Sequence, residues 1–353
     1  MGQPNLVPLP AAFLSLAERA RETLQNNPEH WAQFSNWPET RKDAFDRVVT
    51  CSEFALDFLK RDPEVVLALA ASGALERTLL HHELRDQLRQ CLSSCEDEAE
   101  LARNLRQFRN QHQLRIIWRD ITRQADLDET CTDLTDLADA CIDLTYQWLY
   151  ERLTQQWGVP MGSRSLRPQS MVILGMGKLG ANELNLSSDI DLIFAFPESG
   201  ETDHPKRPLD NQEFFIRLGQ RLIKALDSIT VDGFVFRVDM RLRPYGSSGA
   251  LVQSFNAMEQ YYQSQGRDWE RYAMIKARVV GGEARAGRAL LELLRPFVYR
   301  RYLDFSAIDS LRSMKLLIQQ EVRRRGMSDN IKLGSGGIRE VEFIAQAFQL
   351  IHG

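Results

Sequence analysis

The stretch Gly175–Phe194, GMGKLGANELNLSSDIDLIF, decides the reading of this chain. It holds a glycine turn, a short polar connection with two serines, and two aspartates one residue apart at the head of an apolar run. Side chains alternate faces along a strand, so Asp189 and Asp191 point the same way. Like charges at that separation repel, and burying them without compensation is costly. A divalent cation removes that cost, and oxygen ligands with a partly hydrated ion and bridging phosphates suit Mg²⁺.

Upstream, Ser170–Leu174 reads as a buried strand, and Ile190–Phe196 as a second. Downstream, Asp232-Gly233 is a turn signal, and Phe234–Leu242 reads as a third strand. On it Arg237, Asp239 and Arg241 share a face. Three carboxylates on adjacent strands behind a glycine turn can place one or two metals against a phosphoryl group for in-line attack. Asp189, Asp191 and Asp239 are therefore the candidate catalytic and metal-ligating residues. A lone Asp-x-Asp is more often a solvated strand end; the third acid moves the reading toward chemistry. Arg241 and Arg243 could clamp phosphate oxygens, because guanidinium matches that geometry, or could pair structurally with the acids.

Two rival readings of the glycines fail. Gly175-x-Gly177-x-x-Gly180 after a strand fits the dinucleotide fingerprint, which requires a helix opening at the glycines and an acid ending the next strand. Here the acids begin the next strand, and Ala181–Leu186 is too short for a crossover helix. A phosphate P-loop needs Ser or Thr after the lysine, and Leu179 follows Lys178.

On the N-terminal side the pattern is helical from about Ala11 to Trp157. Leu137, Cys141, Leu144 and Trp148 recur on one helix face, and that helix stops at Gly158 with Pro160 beyond. Leu101–Thr122 is another helix, or two. Its stripe Arg115, Arg119 and Arg123 reads as a solvated face rather than a phosphate contact, as does the run Arg323–Arg325. Asp210, with Glu213 three residues on, resembles a capping box, and Phe214, Leu218, Leu222 and Leu226 supply the apolar face of that helix. From Phe255 onward the chain reads as helical, with a glycine-rich break at Gly334–Gly337 that is either a helix entry or an anion cradle. The pattern is still helical at Ile351, as in a fragment of a longer chain. The expected fold is α+β: a small mixed-sheet core at 161–252 flanked by a helical N-terminal domain at 1–160 and a helical segment at 253–353.

The 353 residues are 43% hydrophobic and 26% charged, a globular composition, with a net charge of −4. That charge gives no electrostatic case for nucleic acid or an anionic membrane. Nothing approaches a membrane span, and the N-terminus lacks a signal-peptide pattern. Five cysteines with no Cys-x-x-Cys pair fit reduced thiols, hence a cytoplasmic expectation.

The glycine turn, the Asp-x-Asp strand and the third acid resemble the nucleotidyltransferase superfamily. With VDMRLRPYGSSGAL (238–251), GRDWERYAMIKARVV (266–280) and IKLGSGGIREVEF (331–343), the chain resembles the bifunctional glutamine synthetase adenylyltransferase/adenylyl-removing enzymes from about Met171 onward. The resemblance implies phosphate-binding roles for Gly175, Gly177, Lys178, Ser187 and Ser188 around the turn, with Lys178 standing where the superfamily usually has serine. It also singles out Lys276 and Arg278. The ELN-x-x-SDIDL wording implies the adenylyl-removing half. That half uses Mg²⁺ and phosphate to take AMP off a tyrosine of adenylylated glutamine synthetase as ADP, under control of the PII signalling protein. An ATP-using adenylyltransferase, a related enzyme of the PII system, or a fragment acting only as a binding surface are the alternatives.

Overall fold

The structure, a computed structural model, describes residues 8–80, 82–299, 315–316, 320, 322–324, 326, 330–332, 334 and 336–352. The expected helices at 300–314, together with Arg325 and Ser335, lie outside the described residues. The chain forms two compact units, each assembled from separated segments. The first comprises Met1–Thr145, Asn182–Ser188 and Ile223–Arg237; the second comprises Tyr146–Ala181, Asp189–Leu222 and Val238–Gly353.

The first unit is built on helices. Short ones run from Ala11–Gln25 to Glu83–Leu92, followed by the long helix Glu98–Ile121 and the start of Leu127–Trp157. Asp97 caps the long helix by accepting from the Ala99 and Glu100 amides, a partner for two otherwise orphaned donors. Phe34, Phe45, Phe58, Leu114, Ile117 and Trp118 lie in one buried cluster. The stripe expectation on the long helix is corrected at two of its three positions: Arg115 and Arg119 are 1% and 3% exposed, while Arg123, past the helix end, is exposed as expected. Arg115 pairs with Asp133 at 2.7 Å and donates to the carbonyls of Ala74 and Arg77. Arg119 pairs with Glu129 and donates to the Glu76 carbonyl. A guanidinium can enter a helical core when carbonyls and a carboxylate satisfy its fixed fork of donors. Arg323 and Arg324 are exposed, as expected for a solvated run.

The second unit holds a five-stranded mixed sheet. Its strands are β1 (Val172–Met176), β2 (Ile190–Phe196), β3 (Val238–Asp239), β4 (Val252–Ser254) and β5 (Arg278–Gly282). The path is β3-β2-β1-β5, with β4 also pairing β2. β1 runs antiparallel to β2 and β5, whereas β3 and β4 run parallel to β2. The antiparallel β1–β2 pair excludes the parallel crossover of a dinucleotide fold.

β1 is buried along its whole length, as a strand covered on both faces must be. On one face Val172, Leu174, Met176, Ile193 and Ala195 meet the helices Phe255–Ser264 and Ala284–Val298. On the other, Phe196 stacks on Phe215 of the helix Asn211–Asp227 at 5.0 Å. Gly219 allows this helix close, since a Cβ there would stand 3.0 Å from the Phe194 ring. Asp210 caps it through the Gln212 amide at 2.7 Å, but Glu213 pairs with Arg217, so the expected reciprocal box does not form.

Two further expectations are corrected. The third strand is only Val238–Asp239, not Phe234–Leu242. The region after Phe255 is not helical throughout, because Arg278–Gly282 is β5. No described helix is long and apolar enough to cross a membrane.

Candidate active site

The aspartates stand where β2 leaves its apolar environment. Ile190 and Leu192 are fully buried and the intervening Asp191 is half-buried, while Asp189, just before the strand, is exposed. The face that carries Asp191 continues into the buried Ile193 and Ala195. Burial therefore pushes Asp191 up to about 6, and the charges of Asp239 and Asp189 add to the push. Arg241 and Lys332 pull it the other way.

Asp239 is brought to this point by register: Ile190 pairs with Val238, and Asp191 with Asp239. Its environment is the reverse of its neighbour's. The Arg241 guanidinium donates from Nε to Asp239 Oδ2 at 2.8 Å, and the Arg241 amide donates to Oδ1 at 2.8 Å. These bonds hold Asp239 below the ordinary carboxylate range.

The glycine turn closes against the acids. Gly177–Gly180 is a single helical turn, with no long helix after it. Gly177 has φ +55°, and a Cβ there would lie 2.7 Å from Asp191 Oδ2. At Gly180 a Cβ would meet the Lys276 carbonyl at 1.9 Å. Both positions require glycine, one for conformation and one for the close approach of two backbones.

The remaining candidates separate into braces and open groups. Arg278 donates from Nη2 to the Leu179 carbonyl at 3.0 Å, bracing the turn from β5. Lys276 Nζ donates to Glu342 at 2.9 Å. Arg243 donates to the carbonyls of Met240 and Gly249, which shapes its own loop. Gly175 is buried inside β1, and Lys178 is half-buried on the turn. Ser187 and Ser188 end the Asn182–Ser188 segment of the first unit, where Ser188 Oγ donates to Asn185 Oδ1 at 2.6 Å. At Gly334–Gly337 the Gly336 amide donates to Glu340, so a carboxylate of the helix itself takes the place of an external anion. Sequence reasoning missed Lys332, whose charge acts on Asp191. It stands within the quoted 331–343 motif, where only the glycines had drawn notice.

The donor chemistry suits a hard cation, with clustered carboxylates, one half-buried against a glycine that leaves space beside it. The side chains do not form a closed ligand set, however. Among the described residues no three His, Cys, Asp or Glu groups are gathered to hold an ion. Asp239 is engaged by Arg241 instead.

A family model described as glutamate-ammonia ligase adenylyltransferase matches residues 43–293. The chain belongs to this family. A second model, described as PII-uridylyltransferase, matches residues 312–353. Relatives named bifunctional glutamine synthetase adenylyltransferase/adenylyl-removing enzyme include one from Pseudomonas syringae pv. tomato, 68% identical over 100% of this chain and 36% of its own length. One from Pseudomonas aeruginosa is 65% identical over 100% and 36%, and one from Shewanella oneidensis 54% over 93% and 35%. The chain thus spans about a third of the length of these relatives in the glutamate-ammonia ligase adenylyltransferase family.

Proposed function

We propose that this chain carries the adenylyl-removing site: a phosphorolytic nucleotidyltransferase acting on the adenylyl-tyrosine of glutamine synthetase. The observation that carries the reading is the Asp191–Asp239 register pair, seated against the glycine turn, in a chain of this family. The two further sequence motifs at 266–280 and 331–343, in family order, support it.

In this reading an oxygen of inorganic phosphate attacks the α-phosphorus of adenylyl-tyrosine. The bond from that phosphorus to the tyrosine oxygen breaks, ADP is released, and the phenolate takes up a proton. Asp189 and Asp191, with Asp239 once Arg241 releases it, would hold Mg²⁺, which when bound neutralises phosphodiester charge and orients the group for in-line displacement. Arg241 is exposed and adjacent to the acids, so its guanidinium can leave Asp239 for a phosphate oxygen, an exchange between two anionic partners of similar geometry. The Gly177 turn keeps side-chain bulk away from Asp191. Positioning and electrostatic stabilisation supply most of the rate in such a site.

The test is product identity. The protein is incubated with adenylylated glutamine synthetase, Mg²⁺ and phosphate, and in parallel with unmodified glutamine synthetase and ATP. ADP from the first mixture supports removal. Pyrophosphate from the second, with no ADP from the first, establishes the ATP-using direction instead. Both activities appear in the relatives' name, and the two share every residue above. The match of 312–353 to a PII-uridylyltransferase model supports placing the enzyme in PII-linked regulation.

A further inference from the structure

β3 is two residues long and pairs with β2 through two register partners. So short a ladder cannot fix its own register, and a slip of one residue would turn Asp239 to the opposite face of the sheet. The register therefore depends on the chain on either side of the strand: Arg243 holds the exit at the Met240 carbonyl, and the entry is held by the segment that leads into the strand. That chain, Ile223–Arg237, belongs to the first unit.

There it is gripped from one helix. Arg106, on Glu98–Ile121, is 0% exposed. It donates from Nε to the Gly233 carbonyl at 2.9 Å and from Nη1 to the Ala225 carbonyl at 3.1 Å, and it also bonds the Ser228 carbonyl. One turn along the helix, Asn110 donates from Nδ2 to the Asp232 carbonyl at 3.0 Å. Between them Arg109 lies over the rings of Phe234 and Phe236 at 5.3 and 5.9 Å. Arg237, the last residue before β3, donates to the Ser187 carbonyl at 2.9 Å, and Ser187 lies just ahead of the first acid of the β2 lead-in. A planar fork that spans three carbonyls holds a backbone in three places at once with its donors in fixed geometry, which an apolar side chain cannot do.

We propose that Arg106 and Asn110 are positioning residues for the nucleotidyl-transfer site: by clamping the 225–233 turn they set the register at which the chain enters β3 and so the face on which Asp239 is presented. This rests on the reading of Asp239 as a site residue. The clamp itself can be tested without any activity.

The test is residue-resolved amide exchange of wild type, Arg106→Gln and Asn110→Ala, with turnover measured alongside. Asn110→Ala removes the bond to the Asp232 carbonyl and the one it accepts from Arg109, and it spares the fork, so it decides the matter if Arg106→Gln fails to fold. The expected result is exchange at Val238 and Met240 faster by at least tenfold, with Leu105–Trp118 protected as in wild type. In folded variants, kcat should fall while KM for adenylylated glutamine synthetase stays within about twofold. Unchanged exchange at Val238 and Met240 in folded Asn110→Ala, or loosening confined to 225–233, overturns the proposal. If the wild type produces no ADP but the exchange changes appear, the functional reading fails and the clamp stands.

Discussion

Asp191 and Asp239 face each other as register partners across β2 and β3 yet hold their protons in opposite ways. Burial and two neighbouring acids push Asp191 up to about 6, while the Arg241 fork holds Asp239 below the ordinary carboxylate range. One member of the pair is therefore a pressed carboxylate awaiting positive charge, and the other already has it.

A pH dependence follows for the metal-free protein. A carboxyl whose folded pKa is raised stabilises the fold below its unfolded pKa, and that contribution is lost as pH rises through the folded value. For Asp191 the window runs from about 4, the ordinary aspartate value, to about 6. The rise corresponds to no more than about 3 kcal/mol, and partial exposure reduces this to about 1 kcal/mol. Asp239 has the opposite sign: its stabilising contribution is present throughout this window and is lost only as pH falls below it. Thermal melting with chelator present should decline from pH 4 to 6 in wild type more steeply than in Asp191→Asn. Parallel curves would show that Asp191 is not strained by its neighbours.

Asp191→Asn and Asp189→Asn each remove one charge while keeping shape. Loss of a strong electrostatic contact at a phosphoryl site costs ~10²–10³ in rate, and a metal ligand at least as much. ADP release from adenylylated glutamine synthetase should fall by that factor at saturating Mg²⁺, with melting unchanged or higher. Wild-type turnover by Asp191→Asn would remove the strand pair from the chemistry.

Arg241→Gln frees Asp239 from its fork. Titration with Mn²⁺ as a probe of the cation site should show tighter binding, because an anionic ligand no longer has an internal partner. Turnover should nevertheless drop by about tenfold, the share of one charge-assisted contact to phosphate. Unchanged Mn²⁺ affinity would mean that the fork does not compete with the ion.

The two turn glycines should separate fold from function. Gly180→Ala drives a methyl to 1.9 Å from the Lys276 carbonyl and should sharply lower the melting temperature. Gly177→Ala places its methyl 2.7 Å from the Asp191 carboxylate at φ +55°. The left-handed backbone alone costs about 1–2 kcal/mol, so the protein should fold, while turnover falls far more than stability. Equal ratios of lost activity to lost stability in the two variants would contradict this division.

The parts of the fold legible in the sequence are those with strong local pattern. Ile190–Phe196 reads as a strand because every residue but Asp191 is apolar, and Gly158 ends its helix as its position implies, at φ +81°. β4 was missed because three residues carry no periodicity. β5 was missed because Arg278–Gly282 follows a helical motif and owes its extended form to pairing with β1. The Arg115 and Arg119 stripe misled for a related reason: periodicity records which residues share a helix face but not the carbonyls of 74–77 that the fold sets opposite them. At the site, the Asp-x-Asp and the third acid were visible as chemistry. The engagement of Lys276 with Glu342 and the influence of Lys332 on Asp191 depend on long-range packing that no spacing records.

Each unit is stitched from separated stretches of chain, and the strands bearing Asp191 and Asp239 are each preceded in sequence by a stretch of the first unit, so the sheet has no contiguous gene segment of its own. Trimming the N-terminus as far as residue 145 removes only the first unit, but Asn182–Ser188 and Ile223–Arg237 of that unit stay behind between the strands, so trimming termini does not yield the second unit alone.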